Sequence, residues 1–395
     1  MRHKIERKSL PIYLTVYASF FDIHAQLPIL ALFAASVGAD PFWIGAVVGI
    51  YSIFNIIGNG LGGMAIDRWG WRKPLLAGLV LVNFALYGYQ LVGSTLSLLV
   101  VRAFNGFSGG ILIPATLAAL SPESGRDFKK EHNRNVAFFG IAIGLAALTG
   151  PPFAGIISNL YSYKAAYLGI AVLMTAATVF TIFFTKEKEQ PLSPRPLRDK
   201  KAMYFKLPPV SLTACLLSFA LMGGTGTLAA FLPIMAKSRG FSQGGIGMLF
   251  GLFALMVVLL QAWRAASGWL KIKPFHMALG GVAAIVISLF MIHLAVHQVL
   301  FAGAILLYGI GFGVVFPTIL VMVIQGISAE KKGIITGIFF AFYSMGTAIV
   351  PPLAGFTWQR LPGFLPPLTA VIVILLLTLL ASHYHNMIDR ETELV

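Results

Sequence analysis

Two ionisable side chains sit where an apolar sequence rarely places them. Asp22 lies within an apolar run spanning residues 10–37, and Arg102 within another spanning 95–120. At 100° per residue, Thr15, Ser19, Asp22 and Gln26 fall in a stripe about 60° wide on one helix face, while His24 points away from it. Four polar groups on one face of an otherwise apolar helix read as the wall of a wetted cavity. An ionised carboxylate at the centre of a bilayer costs at least ~2.5–3.5 kcal/mol, so it usually faces a cavity and serves a function. Low-polarity surroundings favour the protonated carboxyl, which suits Asp22 to reversible proton binding or to a cationic substrate. The competing reading is a structural carboxylate paired for helix packing. Arg102 never loses its charge. It either favours release of a proton from a neighbouring carboxylate or extends its guanidinium to the membrane interface, about seven residues away along the helix.

These side chains need helices long enough to hold them in a bilayer, and the chain supplies twelve. Apolar segments occupy residues 10–37, 41–65, 74–92, 95–120, 135–158, 162–184, 208–235, 241–263, 275–295, 299–325, 334–357 and 364–383. Most meet the length of ~20 apolar residues that a helical span needs. Charged residues make up 11% of the chain and mean hydropathy is +0.83, whereas a soluble domain is roughly 25% charged. A net charge of +15 suggests nucleic acid until its distribution is read. With the N-terminus inside, 24 Lys and Arg fall on the inner side and four (Lys164, Lys237, Arg239 and Arg360) on the outer side. That bias is a topology signal placing both termini in the cytoplasm, and it leaves an added role in binding anionic lipid heads open. Nucleic acid is not expected as a partner. The apolar run after the basic N-terminus is too long, and with Asp22, His24 and Gln26 too polar, for a cleaved signal peptide.

One charged, proline-rich interruption at 185–207 divides the chain into halves of six segments. The expected organisation is an N-terminal bundle at 1–184, a cytoplasmic linker at 185–207 and a C-terminal bundle at 208–395. The halves echo each other at an offset near 200 residues. Lys73-Pro74 matches Lys273-Pro274, Pro151-Pro152-Phe153-Ala154-Gly155 matches Pro351-Pro352-Leu353-Ala354-Gly355, Leu27-Pro28-Ile29 matches Leu232-Pro233-Ile234, and Gly109…Pro114 recurs as Gly313…Pro317. Four matches in one order indicate a duplicated six-helix unit. The copies differ at the candidate chemistry: Thr227 aligns with Asp22, and Leu270 with Asp67.

The stretch Gly63-Met64-Ala65-Ile66-Asp67-Arg68-Trp69-Gly70-Trp71-Arg72-Lys73 separates two apolar segments. So dense a set of charges cannot lie in hydrocarbon, and a tight loop at a membrane face is expected. Its pattern, G-x-x-x-D-R-x-G-x-R-K, resembles the loop between the second and third spans of the major facilitator superfamily of secondary transporters. The run Arg102-Ala103-Phe104-Asn105-Gly106-Phe107-Ser108-Gly109-Gly110 resembles that family's fourth-span motif, with Asn105 replacing Gln. Gly150-Pro151-Pro152-Phe153-Ala154-Gly155 is similar to the fifth-span motif of its drug/proton antiporters, with Ala154 replacing a glycine. The resemblance implies an all-α membrane protein of twelve transmembrane helices in two pseudo-symmetric six-helix bundles. It further implies a proton-coupling role for Arg102, beside the one read for Asp22 from its place in an apolar run, and a cytoplasmic gate at Gly63, Asp67, Arg68, Gly70, Arg72 and Lys73. Asp67 would cap a helix or pair with a cation, and the two glycines would permit close packing and a turn; a purely topological role is the alternative. Gly150, Pro151 and Gly155 would form the exporter-type helix motif, in which paired prolines bend the helix and small residues allow close packing.

The expected function is proton-coupled export of a small organic or amphiphilic molecule by alternating access. Import of a metabolite, or export of a zwitterionic metal-chelating metabolite, are alternatives within the same class; a membrane-embedded enzyme or receptor is the alternative from another. Thr15, Ser19, Gln26, Asn55, Asn105, Thr225, Gln261 and Tyr308 are candidates to line the substrate cavity, or else to bond between helices. The sequence contains no nucleotide-binding P-loop and no H-E-x-x-H, so no enzyme and no cofactor beyond a proton gradient is expected. No metal is expected either, His293 and His297 sharing helical spacing without an acidic partner. The single cysteine, Cys215, reads as a small core residue. The expected partners are a small-molecule substrate, protons and the lipid bilayer, with the protein a monomer of the inner (plasma) membrane.

Overall fold

The computed structural model describes residues 10–121, 128–185, 207–267, 273–361 and 366–393, and these contain helices and no strand. In chain order the helices are α1 (Leu10–Ala25), α2 (Leu27–Ser36), α3 (Pro41–Trp69), α4 (Arg72–Gly88), α5 (Thr95–Ala119), α6 (Phe128–Leu160), α7 (Tyr163–Phe184), α8 (Pro209–Ser238), α9 (Gln243–Ser267), α10 (Pro274–Leu294), α11 (Gln298–Ile324), α12 (Ala329–Arg360) and α13 (Pro366–Glu393), with a 3-10 turn at Tyr89–Leu91 after α4. Eleven are long and apolar enough to span a membrane. Helices α1 and α2 together make the twelfth span, bent by 45°. Each observed helix overlays one apolar run of the sequence, because in hydrocarbon every backbone N–H and C=O must be satisfied within its own segment.

The bend is one departure from the sequence expectation of a continuous first span. Pro28 has no N–H to offer the carbonyl of His24, four residues earlier, so the ladder fails there. The Gln26 carbonyl instead accepts from Ile29 (3.2 Å) and Leu30 (2.9 Å).

The charged motif is a second departure. Rather than a loop from Gly63 to Lys73, helix α3 continues through Asp67, Arg68 and Trp69, and only Gly70 and Trp71 separate it from α4. Asp67, Arg68 and Trp69 are exposed on that last turn. A helix end protruding beyond the apolar stretch satisfies its charges as well as a loop would. Gly70 adopts φ +76°, which favours glycine. Gly63 makes no close approach, since a Cβ placed there would meet nothing within 4 Å. The tight packing falls on Gly58 and Gly62, one turn apart on the adjacent face, against Phe107, Gly110 and Ile111 of α5. The basic N-terminal residues 1–9, nearly all of the linker (186–206) and the second-half counterpart of the hinge (268–272) lie outside the described residues.

The chain forms two compact units: 1–33, 53–198 and 242–251 in one, and 34–52, 199–241 and 252–395 in the other. In the first, α6 meets the opening turns of α9. A Cβ on Gly155 would lie 2.7 Å from the Gln243 carbonyl oxygen, and one on Gly247 would lie 2.5 Å from that of Pro151. In the second, α12 meets the opening turns of α3. There Gly355 abuts Pro41, Gly45 abuts Pro351, and a Cβ on Gly49 would lie 2.6 Å from the Ala348 carbonyl oxygen. Gly45 and Gly49 recur 202 residues later as Gly247 and Gly251, a repeat that passed unremarked in the sequence because glycine is common in spans. Each duplicated Pro-Pro-x-x-Gly stretch therefore faces a duplicated Gly-x-x-x-Gly stretch. Filling such a seam should be costly, because overpacking destabilises by about 1–3 kcal/mol. Gly247→Leu should lower the thermal unfolding midpoint in detergent, while Gly280→Leu, at a glycine with nothing within 4 Å, should not. Superimposable melting curves for the two variants would exclude a tight seam.

Candidate functional site

The polar stripe on α1 faces the interior of its own unit. Thr15, Ser19, Asp22 and Gln26 are all buried, so they are not the wetted wall that helical periodicity suggested. A helical wheel identifies a common face but not what packs against it. Thr15 Oγ1 lies 2.7 Å from Thr181 Oγ1 on α7 and also donates to the Pro11 carbonyl at 3.0 Å. Ser19 donates to the Thr15 carbonyl at 2.8 Å.

Deeper along the stripe the groups converge. Each oxygen of Asp22 accepts one amide: Oδ1 from Gln26 Nε2 at 2.5 Å, and Oδ2 from Asn105 Nδ2 at 3.2 Å. Gln26 also donates to Asn105 Oδ1 at 3.2 Å. The Gln26 oxygen accepts from Arg102 Nη1 at 2.7 Å and from the Tyr89 hydroxyl at 3.0 Å. Arg102 Nη1 is also 3.2 Å from Asn105 Oδ1. The Gln26 amide thus uses both donors and both acceptor sites. Arg102 is 6% exposed and points inward rather than to the interface.

Local structure explains the convergence. Helix α5 starts at a capping box, in which Ser94 accepts from the Ser97 N–H and Ser97 from the Ser94 N–H. Arg102 and Asn105, three residues apart, then share the face turned to α1. Tyr89 comes from the 3-10 turn beyond α4, and its ring stacks on Tyr167 of α7 at 3.9 Å and 12°. Both rings are fully buried, and the Tyr167 hydroxyl has no hydrogen-bond partner among the described residues. Sequence reading missed both tyrosines. They lie near span ends, where an aromatic ring is usually an interface anchor, and no spacing ties them to Gln26.

The other candidates are dispersed. Asn55 is half-buried and donates to the Gly106 carbonyl at 3.3 Å, while accepting from Asn59 at 2.8 Å. In the second unit Thr225 Oγ1 lies 3.1 Å from the buried Tyr308 hydroxyl, and Gln261 reaches the Gly313 carbonyl at 3.5 Å. Thr227, the repeat counterpart of Asp22, donates to the Gly223 carbonyl of its own helix. At the hinge, Arg72 Nε donates to the Thr185 carbonyl at 3.1 Å, and the Arg68 guanidinium lies 5.5 Å from the Trp69 ring centre. Gly150 brings α6 onto the α1–α2 break, where a Cβ would lie 3.0 Å from the Ala25 nitrogen. His24 stands apart from the cluster, half-buried, its Nδ1 2.7 Å from the Phe20 carbonyl. No group of three or more metal-ligating side chains occurs among the described residues.

Chemically, an ionised Asp22 is acceptor-only and well served here by two amides. A proton on either oxygen competes with the amide at that oxygen and cancels the charge that faces Arg102. Since Gln26 has no spare capacity, rearranging it disturbs Arg102, Tyr89 and Asn105 together. Gln26→Leu should therefore destabilise the protein by about 1–3 kcal/mol for each buried group it orphans. That loss should be several times larger than the loss from Thr15→Val, as read by thermal unfolding. Equal losses would mean that Gln26 is not the hub.

Comparison with known proteins agrees with this architecture. The family described as Major Facilitator Superfamily matches residues 12–385. An uncharacterized MFS-type transporter of Methanocaldococcus jannaschii, MJ1560, is 20% identical over 363 residues, covering 89% of this chain and 92% of that protein. Multidrug resistance protein MdtG of Escherichia fergusonii is 23% identical over 380 residues, covering 93% and 91%. Among solved structures, a bacterial homolog of the human lysosomal transporter Spinster matches with a TM-score of 0.77 at 10% identity, covering 98% of both chains.

Proposed function

The chain belongs to the Major Facilitator Superfamily and is a multi-pass membrane transporter; from that premise we propose that it exports a small organic or amphiphilic molecule in exchange for protons. The observation that carries the proposal is a buried carboxylate bound to a buried guanidinium through two amides, Gln26 and Asn105. Asp22 can gain and lose a proton while Arg102 keeps its charge throughout. One protonation event therefore changes the net charge of the cluster and the hydrogen bonds that join its members. In the proposed cycle Asp22 takes a proton from outside, its neutralisation permits the inward swing, and release inside resets the carrier as substrate leaves. The moving bodies are the six-helix halves 1–184 and 208–395, joined by the linker 185–207. The direction of export is supported by the resemblance of Gly150–Gly155 to the antiporter motif and by the name of the relative MdtG. The setting is the inner membrane, with a monomer whose termini are both cytoplasmic.

Purified protein in proteoliposomes, with a lipophilic cationic dye such as ethidium as the transported probe, tests the coupling. Asp22→Asn mimics the protonated state and should abolish dye-dependent proton movement, from acid to alkaline pH, while dye binding or exchange persists. Arg102→Lys should impair coupling less than Arg102→Ala, because it keeps the charge and loses only the planar fork. Proton movement of wild-type stoichiometry in Asp22→Asn would assign Asp22 a structural role.

The motif at the α3–α4 turn is proposed as a gate that stabilises the outward-facing state. Asp67→Asn removes one charge there and should alter the accessibility of introduced cysteines to aqueous labels, with insertion into the membrane intact. Unchanged labelling and unchanged dye transport would reduce the motif to a topology signal.

A further inference from the structure

At the motif-bearing end of α3 the surface holds a groove of about 500 Å³. Its lining includes Leu61, Met64 and Ala65 of α3 and Ile111 of α5, with Arg68, Trp69 and Lys73 around it. The groove exists because Gly62 lets α5 close on α3, a Cβ there being 3.0 Å from the Ile111 Cα. Leu61 and Met64 are 46% and 61% exposed, and Trp69 is 52% exposed.

The chemistry of the lining changes along the helix axis. Leu61 and Met64 lie on the spanning part of α3 and need an apolar partner. One turn further, Arg68 and Lys73 are exposed cations beside a tryptophan, the combination found at the headgroup level of a bilayer. Neither the Arg68 guanidinium nor the Lys73 ammonium donates a hydrogen bond to any described residue, although Arg68 rests on the Trp69 ring. The lining contains no carboxylate, and Asp67 is not part of it.

A second groove of about 460 Å³, beside Arg239 and Trp358, differs in the decisive respect. Arg239 spends its guanidinium on the carbonyls of Ala295, Met235 and Ile292, at 2.7, 3.0 and 3.3 Å. That arginine ties helices together, whereas Arg68 and Lys73 spend no donor on any described residue.

We propose that the groove beside Arg68 and Lys73 is a binding site for one anionic phospholipid. The phosphodiester pairs with the two cations, and an acyl chain lies along Leu61, Met64 and Ile111. A zwitterionic headgroup brings its own cation towards the same two charges and gains less, so the site discriminates by net headgroup charge. The inference concerns lipid occupancy and is independent of which molecule is transported.

The test uses the full chain in nanodiscs, with brominated acyl chains as quenchers of tryptophan fluorescence. The Trp69 signal is isolated by subtracting the spectrum of Trp69→Phe. At equal mole fraction, brominated phosphatidylglycerol should quench that signal several-fold more than brominated phosphatidylcholine. The double variant Arg68→Gln/Lys73→Gln should lose this preference, and Arg68→Lys should retain it. Ala65→Leu, which fills the groove, keeps both cations and adds no fluorophore, should weaken quenching of Trp69 by phosphatidylglycerol. Thermal unfolding in phosphatidylcholine checks that each variant is folded. Equal quenching by the two lipids, or a preference that survives loss of both cations, would overturn the proposal. So would displacement of phosphatidylglycerol by millimolar inorganic phosphate, which would assign the cations to a soluble phosphate compound.

Discussion

A carboxylate and a guanidinium can share an apolar helical unit when polar side chains bridge them. Burying either charge alone would cost several kcal/mol, and here two amides distribute the burden. Gln26 is the junction, touching Asp22, Asn105, Arg102 and Tyr89 at once. Much of the surrounding structure follows from the need to bring those four side chains together. The capping box at Ser94 starts α5 where Arg102 and Asn105 will face α1. The 3-10 turn after α4 delivers Tyr89, and Tyr167 closes over it. The small residues of α6 let that helix reach the break in the first span. In a cluster so interdependent, the loss of one hydrogen bond is felt by all of its members.

The second half of the chain carries the same helical frame without this chemistry. Thr227 occupies the position of Asp22 and satisfies itself on its own helix. Duplication has preserved the backbone contacts, visible in the paired glycine seams of α6 with α9 and of α3 with α12, while the ionisable groups stay in one copy. Packing between helices without a hydrophobic drive depends on close backbone approach. That explains why glycine and proline recur at matching offsets when the charged residues do not.

Much of the fold could be read from the sequence, because hydropathy and the bilayer thickness together dictate where a helix must lie. The helices follow the apolar runs closely at nearly every span. The bend at Gln26 was foreshadowed by Pro28, but a single proline does not distinguish a kink from a break. At the motif around Asp67 the need of charges for water was read correctly, while the helix end that meets this need was taken for a loop. The candidate site was legible only in part. Asp22, Gln26, Arg102 and Asn105 stand out as polar residues in apolar runs, and the structure brings these four together. The stripe on α1 gave the right face and the wrong neighbour, since one helix carries no information about what packs against it. Tyr89 and Tyr167 were silent, for an aromatic side chain with a polar tip suits a membrane interface as well as a buried network.

The break between α1 and α2 gives the first span the mechanics of a jointed lever. Residue 26 is both the pin of the joint, through its carbonyl to Ile29 and Leu30, and the hub of the polar cluster, through its side chain. Helix α2 has ten residues, an arm of about 15 Å at 1.5 Å per residue. A rotation of about 10° at the joint displaces the far end of that arm by roughly 2.6 Å on the same geometry. A rearrangement of hydrogen bonds around one amide, itself well under an ångström, would be magnified at the far end of that arm, across its axis, without bending any intact stretch of helix.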